Sequence, residues 1–453
     1  MAFLLLAIWA AMFSSTYRNP FFWDDYHCIR PYSAHELLST FHGWDDPDKV
    51  ETPALRPVAA LLFAFQGVAF GENVILHNIF ETALTWLLLL LLGLLLAELE
   101  FSTFQIGLVF ALFVFSRVFA TLNMWLIQTS LILSYTLMVF TILLFVHWIK
   151  RGSLLDFFLM TMGALVAVFT REEAYSLCVV VLLVWALLPE LRKFWGRALT
   201  AAASLLVIAL FHLWLRTVFV PEAPLPKFTS DAFQNFWLSI KSSWFPCGYT
   251  TIGLTDDLLA SLWMGFLFLV FILFIRIGRP LRVWQTIGTC CIGVVLASPT
   301  IAVAHSYSLA MPALAFRAAI TMAIAEILIQ TEIVSWFNKQ RRYALVAFLA
   351  LGLVIGLTGG VLRSMYVAES LHQNCALRML YDANFVYDLY QRPTTVPEQR
   401  REAARSRFAA AGIFTIEDLQ RLYQKCADYD PEYVKNRDTR KAPFLPKYSF
   451  TSY

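Results

Sequence analysis

The sequence predicts an all-α polytopic membrane protein with about eleven transmembrane helices and a small C-terminal extracytoplasmic helical domain. Three observations predict it. The chain of 453 residues is 59% hydrophobic and only 15% charged, whereas soluble domains carry about 25% charged residues. Its apolar residues gather in unbroken runs of roughly 17–25, the length that takes a helix across about 30 Å of hydrocarbon. Its basic residues fall in short loops between alternate runs, which is a topology signal. A net charge of +3 offers no nucleic-acid surface.

The candidate spans are residues 2–16, 77–97, 104–116, 125–148, 153–169, 175–189, 198–216, 259–275, 284–304, 309–329 and 343–362. With the N-terminus inside, the inside loops hold Lys150–Arg151, then Arg192, Lys193 and Arg197. Further along they hold Arg276, Arg279 and Arg282, then Lys339, Arg341 and Arg342. The positive-inside rule selects this orientation. Met1–Phe13 reads as a retained helix, because no basic residue precedes it and Ser14–Arg18 lacks an Ala-x-Ala cleavage site.

Residues 1–362 then form the transmembrane module, with external loops at 17–76 and 217–258, and residues 363–453 form the external domain. That tail is charged and Tyr-rich. Pro397–Ala411 and Ile416–Tyr423 read as helices, the second capped by Thr415 with Glu417 and Asp418 in its first turn. The 7 cysteines form no CxxC pair and no Cys/His ligand spacing. Cys28, Cys247, Cys375 and Cys426 fall outside, where a disulfide among them is allowed. Cys178, Cys290 and Cys291 sit in apolar runs and read as packing residues.

Polar residues collect on the external side. The first loop opens Phe22-Trp23-Asp24-Asp25-Tyr26-His27. Adjacent carboxylates can act as a general base, bind a cation or accept sugar hydroxyls, while the plain reading is a solvated acidic loop. The second such pair, Trp44-Asp45-Asp46-Pro47-Asp48, reads as turn chemistry. Arg56-Pro57-Val58 follows, then residues 58–70, which suit a helix lying along the interface. His77-Asn78 opens the second span, as a binding element or a polar anchor. Thr170-Arg171-Glu172-Glu173 interrupts two apolar runs. Ionisable groups at membrane depth are costly, so they pair or face a cavity; the plain reading is a tight loop. Arg317 is a lone cation inside an apolar run, with His305 upstream. Its planar fork suits a phosphate, or a structural acid on another helix.

In order and spacing, the first 330 residues or so resemble the GT-C superfamily of polytopic glycosyltransferases, protein-mannosyltransferase-like members in particular. The residues that carry the resemblance are Asp24-Asp25, Arg56-Pro57, His77-Asn78, Arg171-Glu172 and Arg317. The chain departs from that pattern in its short first helix and in Glu173-Ala174, where relatives commonly have Gly.

The resemblance implies an inverting transfer of a sugar from a polyprenyl-phosphate donor to a glycan, protein or lipid acceptor on the extracytoplasmic face. Asp25, or else Asp24, would be the base and Glu172 an orienting carboxylate. Arg56, His77, Arg171, Glu173, His305 and Arg317 would hold the lipid phosphate and sugar. No cofactor is expected, a divalent cation at Asp24/Asp25 being the minor alternative. The expected location is a bacterial inner membrane with the site facing the periplasm, or else the endoplasmic reticulum with a lumenal site. A flippase for lipid-linked glycans and a non-catalytic scaffold are the competing functions.

Overall fold

The computed structural model describes residues 2–18, 25–47, 54–71, 73–222, 236–237, 240, 243–244, 254–298, 309–333 and 339–391. Every regular element among them is helical. The α-helices are α1 (Ala2–Met12), α2 (Asp25–Cys28), α3 (Ala34–Ser39), α4 (Pro57–Phe70), α5 (Val74–Glu98), α6 (Thr103–Val114), α7 (Arg117–Asn123) and α8 (Thr129–Arg151). They continue with α9 (Leu154–Thr170), α10 (Leu177–Leu187), α11 (Trp195–Phe219), α12 (Leu254–Ile277), α13 (Pro280–Ala297), α14 (Ala310–Ile333) and α15 (Lys339–Gln391).

Local chemistry sets the boundaries. Asn73 accepts from Leu76 N at the start of α5. Ser102 and Gln105 form a capping box on α6, and Ser153 caps α9. These side chains satisfy amides that a helix start leaves open. Gly152 ends α8 with φ 73°, the left-handed cap that glycine adopts without strain.

Helices occupy most of the described part of each segment read as a span. Among the described residues, however, six are long and apolar enough to cross a membrane: α5, α8, α11, α13, α14 and α15 up to Met365. The count becomes seven if α6 and α7, bent by 68°, form one broken span. α1 and α10, at 11 residues each, fall short of the roughly 20 that a crossing takes. Helix α15 continues beyond residue 363 to Gln391. The tail helices at 397–411 and 416–423 lie outside the described residues.

Packing separates interior helices from peripheral ones. In α8 and α14, 83% and 78% of the apolar stretch is buried, against 22–39% in the other four. α8 carries Ser130, Ser134, Thr136 and Thr141 on a buried surface. These short side chains permit close helix approach and can bond to a neighbouring backbone without water.

Two ends of the bundle are defined by contacts. Thr129, first in α8, meets Glu81 near the start of α5, and Lys150, at the other end of α8, pairs with Glu98 at the end of α5 at 2.8 Å. Helices α5 and α8 therefore run in the same direction, which requires α6 and α7 to return the chain between them. Arg197 donates to Ile149 O and Arg192 to Ala186 O. Gln285, one turn from Arg282, donates to Leu187 O. Three of the predicted inside clusters thus share the Lys150 end, and the interrupted loop at Arg171 lies at the opposite end.

Candidate functional site

The centre of the site is Arg56. The residue before a proline is pushed out of the helical region, so the chain enters α4 with Arg56 at φ −136° and Pro57 in the first turn. This leaves the guanidinium outside the helix. Arg56 Nε donates to Glu172 Oε2 at 2.7 Å, and Arg56 Nη1 lies 3.7 Å from Asp45 Oδ2. Glu172 is placed by a second break. Arg171 ends α9 in an extended conformation (φ −157°, ψ 142°), and Glu172–Ser176 form a short 3-10 turn before α10. Arg171 Nε is 3.9 Å from Glu173 Oε2.

Helix α11 closes the cluster. His212 Nε2 lies 2.9 Å from Leu55 O, and its Nδ1 lies 2.6 Å from the Tyr175 hydroxyl. A carbonyl can only accept, so Nε2 carries the proton, and Nδ1 of the neutral ring accepts from Tyr175. Arg216, one turn on from His212, adds its charge to the field around Glu172.

The electrostatics separate the two acids. Burial raises the Asp45 carboxyl from 3.8 to about 7; Arg56 pulls it down, while Glu172 and Asp46 push it further up. Burial also acts to raise Glu172, but Arg56 and Arg216 outweigh it and bring the carboxyl down to about 2. Burial opposes the Arg56 charge, yet Glu172, then Asp45 and Glu173, raise its pKa overall. The result is a fixed Arg56–Glu172 ion pair beside an acid that can exchange a proton near neutrality. Glu172 Oε1 is buried and has no hydrogen-bond donor among the described residues, so a ligand hydroxyl would find an open acceptor there.

Asp25 stands at the first turn of α2 and is 1% exposed. Its Oδ1 accepts from Ile127 N at 2.8 Å, just before α8. It interacts electrostatically with Glu81, which is 2% exposed. The Thr129 hydroxyl donates to Glu81 Oε2 at 3.0 Å, and Glu81 Oε1 has no partner among the described residues. Tyr32 lies between Cys28 of α2 and the Asp45–Asp46 turn. Its hydroxyl donates to Cys28 O at 3.0 Å, and it feels the charges of Asp45 and Asp46.

The predicted residues therefore divide. Arg56, Arg171, Glu172 and Glu173 converge, and Asp25 lies at the same end of the bundle. His77 is buried against Phe70 and bonds to Gly71 O at 2.9 Å, bracing the turn between α4 and α5. Arg317 donates from Nε to Leu112 O at 2.8 Å and from Nη1 to Ser243 O and Ala313 O at 3.0 and 2.8 Å. None of these acceptors belongs to the other predicted site residues. Leu112 O is one of the last four carbonyls of α6, which the helix itself cannot satisfy. Arg317 thus bonds to the carbonyl end of α6 where the bent pair breaks. Asp24 and His305 lie outside the described residues.

Sequence reasoning missed Asp45, Glu81, Tyr175, His212 and Arg216. The turn chemistry that the sequence predicts for Asp45 is present, since Asp46 N donates to Asp45 Oδ1 at 3.1 Å; its second oxygen faces Arg56. Glu81, His212 and Arg216 carried a usable signal as ionisable residues within apolar helices. Among the described residues no three His, Cys, Asp or Glu side chains converge to hold a metal ion. Cys28 is buried, and the side chains of Cys247, Cys375 and Cys426 lie outside the described residues. No protein-family model, curated protein or solved structure matches this chain.

Proposed function

We propose that this chain is an inverting glycosyltransferase that moves a sugar from a polyprenyl-phosphate donor to an acceptor on the extracytoplasmic face of the membrane. One observation carries the reading. Arg56 and Glu172, 116 positions apart in sequence, form a 2.7 Å ion pair at the same end of the bundle as the buried Asp25. In this reading about eleven helices cross a bacterial inner membrane, and the Lys150 end faces the cytoplasm because the basic loops gather there.

The chemistry follows from the groups present. The acceptor oxygen attacks the anomeric carbon from the face opposite the phosphate, its proton passes to Asp25, and the phosphate leaves with the electron pair of the broken bond. A carboxylate base at hydrogen-bond distance supplies about 10²–10⁴-fold of such a rate. The leaving phosphate gains negative charge, which Arg171 and Arg56 would stabilise in a site shielded from water. Glu172 holds Arg56 in place and offers Oε1 to a sugar hydroxyl. Arg317 is left out of this step, because its guanidinium serves the end of α6.

The buried Glu81, His212 and Arg317 within apolar helices favour a second reading, a carrier for lipid-linked glycans, since carriers place ionisable groups at membrane depth. A transfer assay with polyprenyl-phosphate sugars separates the two. The wild type is expected to consume donor, and Asp25→Asn and Glu172→Gln are each expected to lose about 10²-fold or more. Donor flipping without transfer would replace the transferase by the carrier. Wild-type rates in both variants would remove the site assignment.

A further inference from the structure

From the Lys150 end inward, a partly open cavity of about 130 Å³ lies between α5, α6, α8, α10, α13 and α14. That is roughly ten times the space one water needs, yet the lining offers water little. Its polar side chains are Arg282, Gln285 and Thr289. All three lie on one face of α13, at the three- and four-residue spacing of a helix, and the same face continues into the cavity as Ile292 and Leu296. The lining therefore grades from a cation, through an amide and a hydroxyl, to hydrocarbon. From Arg282 to Leu296 the face runs about 21 Å, more than the roughly 15 Å apolar depth of one leaflet.

Arg282 differs from Arg279 and Arg192. Arg279 is held by Glu326 through two 2.8 Å bonds, and Arg192 is spent on Ala186 O. Arg282 bonds to the neutral Gln285 at 2.9 Å and has no carboxylate partner among the described residues. A half-buried guanidinium without a counter-anion, at one extreme of an apolar slot, matches an amphiphile with an anionic head. We infer that this cavity binds one acyl chain of an anionic glycerophospholipid from the leaflet at the Lys150 end, with its phosphate on Arg282. The inference rests on no part of the transferase proposal.

The test uses the full chain, exchanged into vesicles of phosphatidylcholine with a minor fraction of phosphatidylglycerol of the same chains. The protein is then re-extracted and its retained lipid read by mass spectrometry. The wild type is expected to enrich phosphatidylglycerol about fivefold over the vesicle ratio, the preference one arginine near an anionic surface supplies. Arg282→Gln should return the ratio to that of the vesicle. Ala318→Phe, which fills the slot, should lower the tightly held lipid itself. Lipid merely surrounding the bundle would track the vesicle ratio in all three proteins, and that result overturns the inference, as does undiminished enrichment in Arg282→Gln. If circular dichroism shows that Ala318→Phe does not fold, the half-exposed Arg282→Gln decides alone. Displacement of phosphatidylglycerol by polyprenyl phosphate at equal concentration would also overturn it, assigning the slot to a prenyl lipid.

Discussion

Asp45 and Glu172 sit on the same arginine and titrate in opposite directions, so their pH signatures differ in sign. Folded Asp45 keeps its proton up to about pH 7, whereas the ordinary value is 3.8. Between those limits unfolding releases a proton, so its contribution, complete below 3.8, is lost as pH rises to about 7. Glu172 is ionised in the fold down to about 2 against an ordinary 4.5, so it adds stability above 4.5 that is lost as pH falls toward 2. Thermal unfolding in detergent as a function of pH reads both. Asp45→Asn is expected to flatten the decline between pH 4 and 7, and Glu172→Gln to flatten the acid limb. An unchanged neutral limb in Asp45→Asn would show that the carboxyl is not shielded as the contacts indicate.

Arg317 gives another prediction at the residue scale. If it caps α6, Arg317→Leu leaves the Leu112 and Ser243 carbonyls without their donor and lowers stability by about 1–3 kcal/mol for each one left unsatisfied. The KM for a polyprenyl-phosphate donor should stay at the wild-type value. A raised KM with unchanged unfolding would return Arg317 to the phosphate.

At the scale of elements, the placement of α2 depends on one glycine. Gly67 of α4 lies against the main chain of Arg30, and a Cβ there would run into the Arg30 carbonyl group. Main chain cannot rotate aside as a side chain can, so Gly67→Ala must shift either α4 or the segment that carries Asp25. The cost expected from such overpacking is about 1–3 kcal/mol, read as a lowered unfolding temperature. Gly196→Ala, with open space around its Cβ, is the matched control and should be neutral or slightly stabilising, because alanine favours the helix. Equal behaviour of the two variants would show that the α4–Arg30 contact is loose.

The elements themselves were largely readable from the sequence. Runs of Leu, Phe and Val announce helices wherever they occur, and Ser102, Ser153 and Gly152 mark ends through chemistry confined to a few neighbours. The break at Arg171–Glu173 was readable for the same reason. What sequence could not supply was the effective length of each helix: α6 and α7 bend apart at Ser116, and α10 stops after 11 residues. Helices enclosed by other helices need not match the bilayer, because their ends can be satisfied by protein, as Arg317 does for α6.

For the whole molecule, charged groups separate to the two ends of the bundle. Basic loops and the Arg282 slot occupy one end, while Arg56, Glu172, Asp45 and Asp25 occupy the other. Helices α8 and α14 form the buried axis between them, and much of the exposed apolar surface falls to α5, α11, α12, α13 and α15. A site at a bundle end suits a substrate whose tail stays in lipid while its head reaches polar loops. That is the physical basis for the donor proposed above.

The sequence alone determined the membrane class, the position of most described helices and the grouping of three basic loops at one end, because hydropathy and charge are local properties summed over short windows. It also pointed to Arg56 and Arg171–Glu173. Only the tertiary structure decided that Arg56 meets Glu172 and Asp45, that His212 and Arg216 reach them from α11, that Glu81 lies beside Asp25, and that Arg317 caps a broken helix. Those pairings depend on which helices are neighbours. Neighbour choice is set by packing among similarly apolar surfaces, and no spacing along the chain records it.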